Sequence, residues 1–349
     1  MKTKHIFAKV IAWFFAVLAL CVTAGISVFF AAVRPVSDSK DAASVKIRVP
    51  SGMSVKEVAL ELKNSGVIRS DRLFYLAARF GIFDGGRPFA LKSGVYSVNA
   101  SMSMGEIYGL LQSGMQEYIT VSVPEGLTVS KIAALLEREG VCKASDFIRE
   151  CRSSQTAAKY NIPASSLEGF LFPDTYFLIP EMDAAAVVQK MADTFFEKVS
   201  EIPSLKDKSP AQLFDTVILA SIVEREYRIE DEASVIAGVF ANRLRYNIGL
   251  QSCATIEYII SEINGKPHPE RITYDDLKID SPYNTYKWAG LPPGPISNPG
   301  MVALKAAADP AETPYYYFVL SDPKTGRHTF TKNFDQHRAA ENIEKWQAL

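Results

Sequence analysis

The chain is 349 residues long and holds few of the side chains that build metal or redox centres: four cysteines and four histidines. Cys21, Cys142, Cys151 and Cys253 have neither the paired spacing of a zinc site nor that of a redox motif. His5, His268, His328 and His337 are equally scattered, so no metal site is expected. A Cys142–Cys151 disulfide stays open as a pairing for an oxidising compartment. Net charge is −1, so the chain lacks the basic field that nucleic acid requires, and no nucleic-acid partner is expected. After residue 34 no stretch is long and apolar enough to cross a membrane. Apolar side chains are plentiful, at 48% of the chain. They suffice for packed cores, and the length implies more than one domain.

The long apolar run that does exist is Val10 to Val33, without a single charge. As a helix it would reach about 36 Å, enough to cross a hydrocarbon core of about 30 Å. Lys2, Lys4 and Lys9 precede it, while Arg34 and Lys40 are the basic residues that follow closely. The positive-inside rule therefore puts residues 1–9 in the cytoplasm and everything after the span outside. A cleaved signal peptide would carry a shorter apolar core, about 7–15 residues. Cys21 is a poor lipoprotein site, because bulky Leu20 precedes it and the apolar run continues beyond it. The expectation is an uncleaved single-pass anchor at 10–33 in the plasma (inner) membrane, then a small, polar linker at 34–44.

An internal repeat follows. "VKIRVPSGMSVKEVALELKNSGVI" (45–68) aligns without a gap on "ITVSVPEGLTVSKIAALLEREGVC" (119–142). Each copy has an alternating strand, a Pro-x-Gly turn, Ser54 or Thr128 where a helix cap belongs, and Gly66 or Gly140 where the helix should stop. Between the copies, Phe74 to Phe83 reads as a helix, 91–98 as a strand and 101–114 as a capped helix. Strand–turn–helix units of this size outside a membrane resemble the LysM-like modules that bind wall glycans, with packing alone as the plainer reading. The expected fold class is α+β: a transmembrane helix, a small LysM-like β–α module over 45–118, and a larger mixed α/β catalytic domain over 119–349.

Within the second region, "LASIVEREY" (219–227) runs from apolar and small residues straight into Glu224. Ser209, Pro210 and Gln212 mark a helix start. Stepping back from Glu224 by three, four and seven residues gives Ser221, Ala220 and Val217, a narrow face against which another segment can lie. Glu226 points elsewhere and reads, with Arg225, Arg228 and Glu230, as a solvated face. From this stretch alone, Glu224 is equally a frayed helix end.

Other segments bear on the choice. "LEGFLFPDTYF" (167–177) sets Glu168, Asp174 and Tyr176 among phenylalanines. That combination suits sugar recognition, though a buried turn would look the same. Arg243 and Arg245 leave a helix that ends near Gly249, and "LQSCATIEY" (250–258) follows. "SPYNTYKWAGLPPGPISNPG" (281–300) is rich in proline and glycine, stiff without being regular. Asn298-Pro299 reads as the cap of a helix through Ala308. Residues 315–331 form a hairpin turning at Asp322–Gly326. His328 reads as a packed histidine.

In this order, "LEGFLFPDTY", "LASIVERE", "ANRLR" with "LQS" and "EY", "SPYNTY", "GLPPGPISNPG" and "YYYFV" resemble the endolytic murein transglycosylase family, also called YceG-like, over about residues 45–337. The resemblance implies cleavage of nascent peptidoglycan strands between N-acetylmuramic acid and N-acetylglucosamine, with no cofactor. It also implies anhydro strand ends, limited strand length, and work beside polymerising synthases. The family's catalytic glutamate falls on Glu224. This chain has Cys253-Ala254 where the family usually has Asp-Pro, which argues against a ligand role at 253 and leaves Glu224 untouched.

Glycosidases ordinarily need two carboxylates. A transglycosylase needs one, because the substrate's own 6-hydroxyl attacks C1 at high effective concentration. Glu224, poorly solvated, would give a proton to the glycosidic oxygen and then take one from that hydroxyl. Gln251, Asn284 and Tyr286, with Glu168 close by, are the candidates for holding sugar hydroxyls. A hydrolytic muramidase and a non-catalytic wall-binding scaffold are the competing readings.

Overall fold

The computed structural model describes residues 2–39, 42–50, 52–114 and 118–347. Lys40 and the parts of the expected linker and domains at 1, 41, 51, 115–117 and 348–349 lie outside the described residues. The chain divides into two compact units, Met1–Tyr118 and Ile119–Leu349.

The first unit opens with α1 (Lys2–Val33). Among the described residues it is the one helix long and apolar enough to cross a membrane, over Ala16–Val33, a test of length and composition. Next come β1 (Ser44–Val49), α2 (Val55–Asn64), α3 (Asp71–Phe80), β2 (Gly94–Asn99) and α4 (Met104–Ser113). In β1, Ile47 and Val49 are buried while Lys46 and Arg48 are exposed, the period-two pattern of a strand with one covered face. Helix α2 starts at Ser54, whose hydroxyl accepts from Glu57 N while the Glu57 carboxylate accepts from Ser54 N at 2.7 Å. It stops at Gly66, with Val67 N donating to Leu62 O and Gly66 N to Lys63 O. The strands β1 and β2 pair antiparallel, Ile47 opposite Tyr96. Both helices of the α2–α3 pair close over that ribbon around Val58, Leu62, Phe74, Tyr96 and Val98. The stretch after α1 is less free than its composition implies. Arg69 donates to Pro35 O and Val36 O at 2.8 and 3.2 Å, and Ser37 N to Ala100 O at 2.8 Å.

The second unit begins with the same design: β3 (Ile119–Ser122), α5 (Val129–Arg138), α6 (Ala144–Cys151), the short α7 (Ser154–Lys159) and β4 (Thr175–Leu178). The strands pair antiparallel with Val121 opposite Tyr176. In both copies the tyrosine hydroxyl donates to the carbonyl four residues earlier, Tyr96 to Lys92 and Tyr176 to Phe172. The duplication therefore covers a whole β–α–α–β unit, with the short α7 added in the second copy, beyond the 24 residues that align without a gap. The cysteines are all free thiols; Cys151 is buried in the core and Cys142 half-buried, so the Cys142–Cys151 bridge is not made.

The remainder comprises α8 (Ala184–Ser200), α9 (Pro210–Glu226), α10 (Glu230–Arg245), α11 (Cys253–Tyr258) and α12 (Met301–Ala308). A hairpin of β5 (Tyr317–Asp322) and β6 (Arg327–Thr331) and then α13 (Phe334–Gln347) complete it. Helix α9 starts at a Ser209–Gln212 capping box with Pro210 in its first turn. Every residue from Thr216 to Val223 is buried, so this half of α9 is enclosed on all sides, packed against α10, α11 and α12, rather than laid along one face. It carries Glu224 out of that core.

Candidate active site

Glu224 occupies the last turn of α9 and is half-buried. The small face behind it is where another segment lies. Ser221 Oγ accepts from Ile296 N at 3.0 Å, and Ser297 Oγ donates to the Ser221 carbonyl at 3.0 Å. That docking brings Gly300, which precedes α12, to Glu224: its N–H donates to Oε2 at 2.9 Å. Tyr227 approaches Oε1 with its hydroxyl at 3.5 Å. Burial pushes the Glu224 carboxyl up to about 7, opposed by the Gly300 N–H and raised further by the charge of Glu125. The C-terminal end of a helix, where carbonyls point outward, disfavours a carboxylate in the same sense. The group is poised to hold and release a proton near neutrality.

Three loops are tied together at Asn298, which is fully buried. Its Oδ1 accepts from Gly169 N at 3.0 Å and Leu171 N at 2.9 Å, and its Nδ2 donates to Leu127 O at 2.9 Å and Glu168 Oε1 at 3.0 Å. Its backbone adds an exchange with the β3–α5 turn, accepting from Gly126 N and donating to Leu127 O. Asn298 is therefore no helix cap: α12 has Gly300 in that position with no side-chain bond. It fixes Gly300, two residues on, against Glu224.

The expected site residues divide. Glu168 is buried, its oxygens accepting from Val129 N at the start of α5 and from Asn298, and burial pushes its carboxyl up to about 8. Asn284 is likewise enclosed, donating to Leu277 O and Ile279 O and accepting from Tyr286 N. Both sit as internal braces. Gln251 and Tyr286 instead line a cavity of about 310 Å³ together with Glu226, Cys253, Tyr317 and Phe334. Gln251 holds φ at +50°, a conformation that costs a non-glycine residue about 1 kcal/mol or more and clusters at functional sites. Glu226 is not on a solvated face. Its carboxyl accepts from the Ser252 hydroxyl and burial holds it above the usual carboxylate range. Glu224 is not among that cavity's lining residues. Arg243 is buried, donating to the carbonyls of Tyr316 and Leu250. His328 is packed, its Nδ1 2.7 Å from buried Glu232.

A model of the YceG-like family matches residues 47–343. The chain belongs to the YceG-like family. A relative named endolytic murein transglycosylase from Bacillus subtilis (strain 168) is 32% identical over 319 residues, 87% of this chain and 85% of that protein. One of the same name from Streptococcus pneumoniae serotype 2 (strain D39) is 28% identical over 326 residues, which are 86% of this chain and 58% of that longer protein. A crystal structure of a YceG-like protein from Listeria monocytogenes matches with a TM-score of 0.57 at 27% identity, covering 86% of this chain and 99% of that one.

Spacing along this YceG-like chain does not by itself mark Glu125, Tyr227, Asn298 or Gly300 as site residues. One signal for Glu125 was present: the two repeat copies differ at that turn position, Ser51 in the first and Glu125 in the second.

Proposed function

We propose that this chain is a lytic transglycosylase that cuts peptidoglycan glycan strands from within, held to the plasma membrane by α1 with residues 35–349 outside. The observation that carries the reading is Glu224: a half-buried carboxyl with a single backbone N–H on it and a proton affinity near neutrality. Glu224 gives its proton to the oxygen between N-acetylmuramic acid and N-acetylglucosamine. The 6-hydroxyl of the muramic acid then attacks C1, and its proton passes to the Glu224 carboxylate. The glucosamine leaves with a free 4-hydroxyl, the muramic acid closes a 1,6-anhydro ring, and no water is consumed. The attacking group is tethered to the substrate, which supplies the effective concentration an enzyme-bound water would otherwise need.

Gln251 and Tyr286, with the aromatic walls of the 310 Å³ cavity, suit a sugar subsite, since rings stack on pyranose faces and polar side chains meet the hydroxyls. Asn284 braces Tyr286 in that wall, and Glu168 braces Val129 and Asn298, so neither is assigned to the sugar. The β–α–α–β module of the first unit suits LysM-like glycan binding, and cutting strands as they are made would place the enzyme beside polymerising synthases. Glu224→Gln tests the assignment. The variant stays nearly isosteric, so it should bind glycan while turnover falls by at least 10²–10⁴-fold, the usual worth of a general acid. More than a tenth of wild-type turnover would remove Glu224 from the reaction.

A further inference from the structure

Glu125 is the carboxylate at this site that the reaction above leaves without a role. It stands in the β3–α5 turn as an exposed residue whose carboxyl reaches inward. A Cβ built on Gly300 would lie 1.8 Å from its Oε1, so the Glu125 carboxyl rests directly on Gly300, whose N–H faces Glu224. The adjoining Gly126 lies beside Glu224 itself, at ordinary contact distance. At φ +74°, its own Cβ would meet Glu224 Cγ at 3.5 Å. The Tyr227 hydroxyl reaches both carboxyls. Burial pushes that phenol far above neutrality, so it stays a neutral donor with one proton to offer.

We propose that Glu125 is a positioning residue for the acid: fixed beside Glu224 through Gly300 and the Tyr227 hydroxyl, its negative charge keeps Glu224 protonated until the glycosidic bond breaks. The inference rests on the reading of Glu224 as the acid. While Glu224 holds its proton, Tyr227 donates to the ionised Glu125. Once Glu224 has given the proton up, two carboxylates face one hydroxyl, and the repulsion drives Glu224 to recover a proton from the sugar's 6-hydroxyl. Glu125 neither gives nor takes a proton in these steps, so the proton count is that of the reaction above; burial and the charge of Glu230 raise its carboxyl, and the Tyr227 hydroxyl opposes them. The other charged groups are few. Arg225 faces Glu224 and favours its ionised form, but its guanidinium is engaged with Glu257 at 3.0 Å and the Gly126 carbonyl at 3.4 Å. Glu230, at the start of α10, faces Glu125. Glu125 is badly placed as a nucleophile. A retaining glycosidase attacks from the face opposite its acid, whereas Glu125 and Glu224 share one hydroxyl on one side.

The test is the pH dependence of kcat/KM, measured on the full chain in detergent with purified glycan strands. The wild type should lose activity on an alkaline limb near pH 7. In Glu125→Gln the negative charge is gone, and a unit charge a few ångströms away in a partly exposed setting is worth about one pH unit. The limb should therefore move down by about one unit, giving about a fivefold loss at pH 7 and little loss below pH 5. Glu125→Asp keeps the charge and should keep the limb nearer the wild type. Gly300→Ala provides a second route. Its φ of −84° suits any residue, its Cβ takes the place of the Glu125 carboxyl, and the limb should move the same way. A limb unmoved in Glu125→Gln and Gly300→Ala overturns the inference, whatever the rates, and so does labelled oxygen in the product ends that depends on Glu125. Glu224→Gln run alongside separates the failures: activity there removes the acid itself, while its loss with unmoved limbs elsewhere removes Glu125 alone.

Discussion

Replacing Asn298 with alanine should unfasten the site from behind. The Asn298 Oδ1 is the acceptor for Gly169 N and Leu171 N, both on buried residues. Each orphaned buried N–H costs about 1–3 kcal/mol, so the pair costs about 2–6 kcal/mol. Leu127 O and Glu168 lose one donor each but keep Asn298 N and Val129 N, so they add little. Against a typical domain stability of about 5–15 kcal/mol this is a large fraction. Urea unfolding of the full chain in detergent, followed through Trp288 in the 281–300 loop, reads the loss as a lower midpoint. Turnover should fall as well, because Gly300 N is held against Glu224 by that anchor, and a misplacement of about 1 Å at a reacting centre costs about 10²-fold. Asn298→Asp keeps the one oxygen that accepts from Gly169 N and Leu171 N but replaces the Nδ2 donor with a second acid beside Glu168, so it should tolerate low pH and weaken as Glu168 ionises. A loss below about 1 kcal/mol in Asn298→Ala, with turnover intact, would refute the role of Asn298 as anchor.

Glu168 and Glu224 hold their protons more tightly folded than unfolded, so their contribution to stability is complete below the unfolded value near 4.5. It is lost as pH rises through about 7 and 8. Thermal unfolding should accordingly show Tm falling between about pH 5 and 8, less steeply in Glu168→Gln; a Tm that rises over that range would contradict the burial of these acids. On the proposed topology, in which Lys2, Lys4 and Lys9 at the start of α1 keep that end in the cytoplasm, a reporter that works only in the cytoplasm, fused after Leu349, should be silent. Activity there would reverse the topology.

Local grammar was legible in the chain. The Ser209–Gln212 start of α9, the caps at Ser54 and Thr128, the stops at Gly66 and Gly140 and the 315–331 hairpin each depend on a few neighbouring residues. What escaped depends on distant partners. Glu226 read as solvated because α9 was expected to have an outside, and a helix enclosed all round carries no such periodicity. Asn298 sits before a helix like a cap, but residues 127 and 168–171 claim its side chain from far up the chain. Glu168 and Asn284 were polar residues in a promising context, and their bonds to Val129 and to the 277–279 carbonyls are invisible to spacing. The return strands of the repeat went unmatched because different loop lengths precede Tyr96 and Tyr176, although their pairing partners align.

The central claim is that one carboxyl and the sugar's own hydroxyl cut the strand without water. Digesting purified glycan strands in water enriched in heavy oxygen and weighing the new ends by mass spectrometry tests it most directly. The account predicts unlabelled ends, lighter by one water than reducing ends, on long fragments that appear before any disaccharide. Labelled reducing ends as the main product would contradict it and make the enzyme a hydrolase.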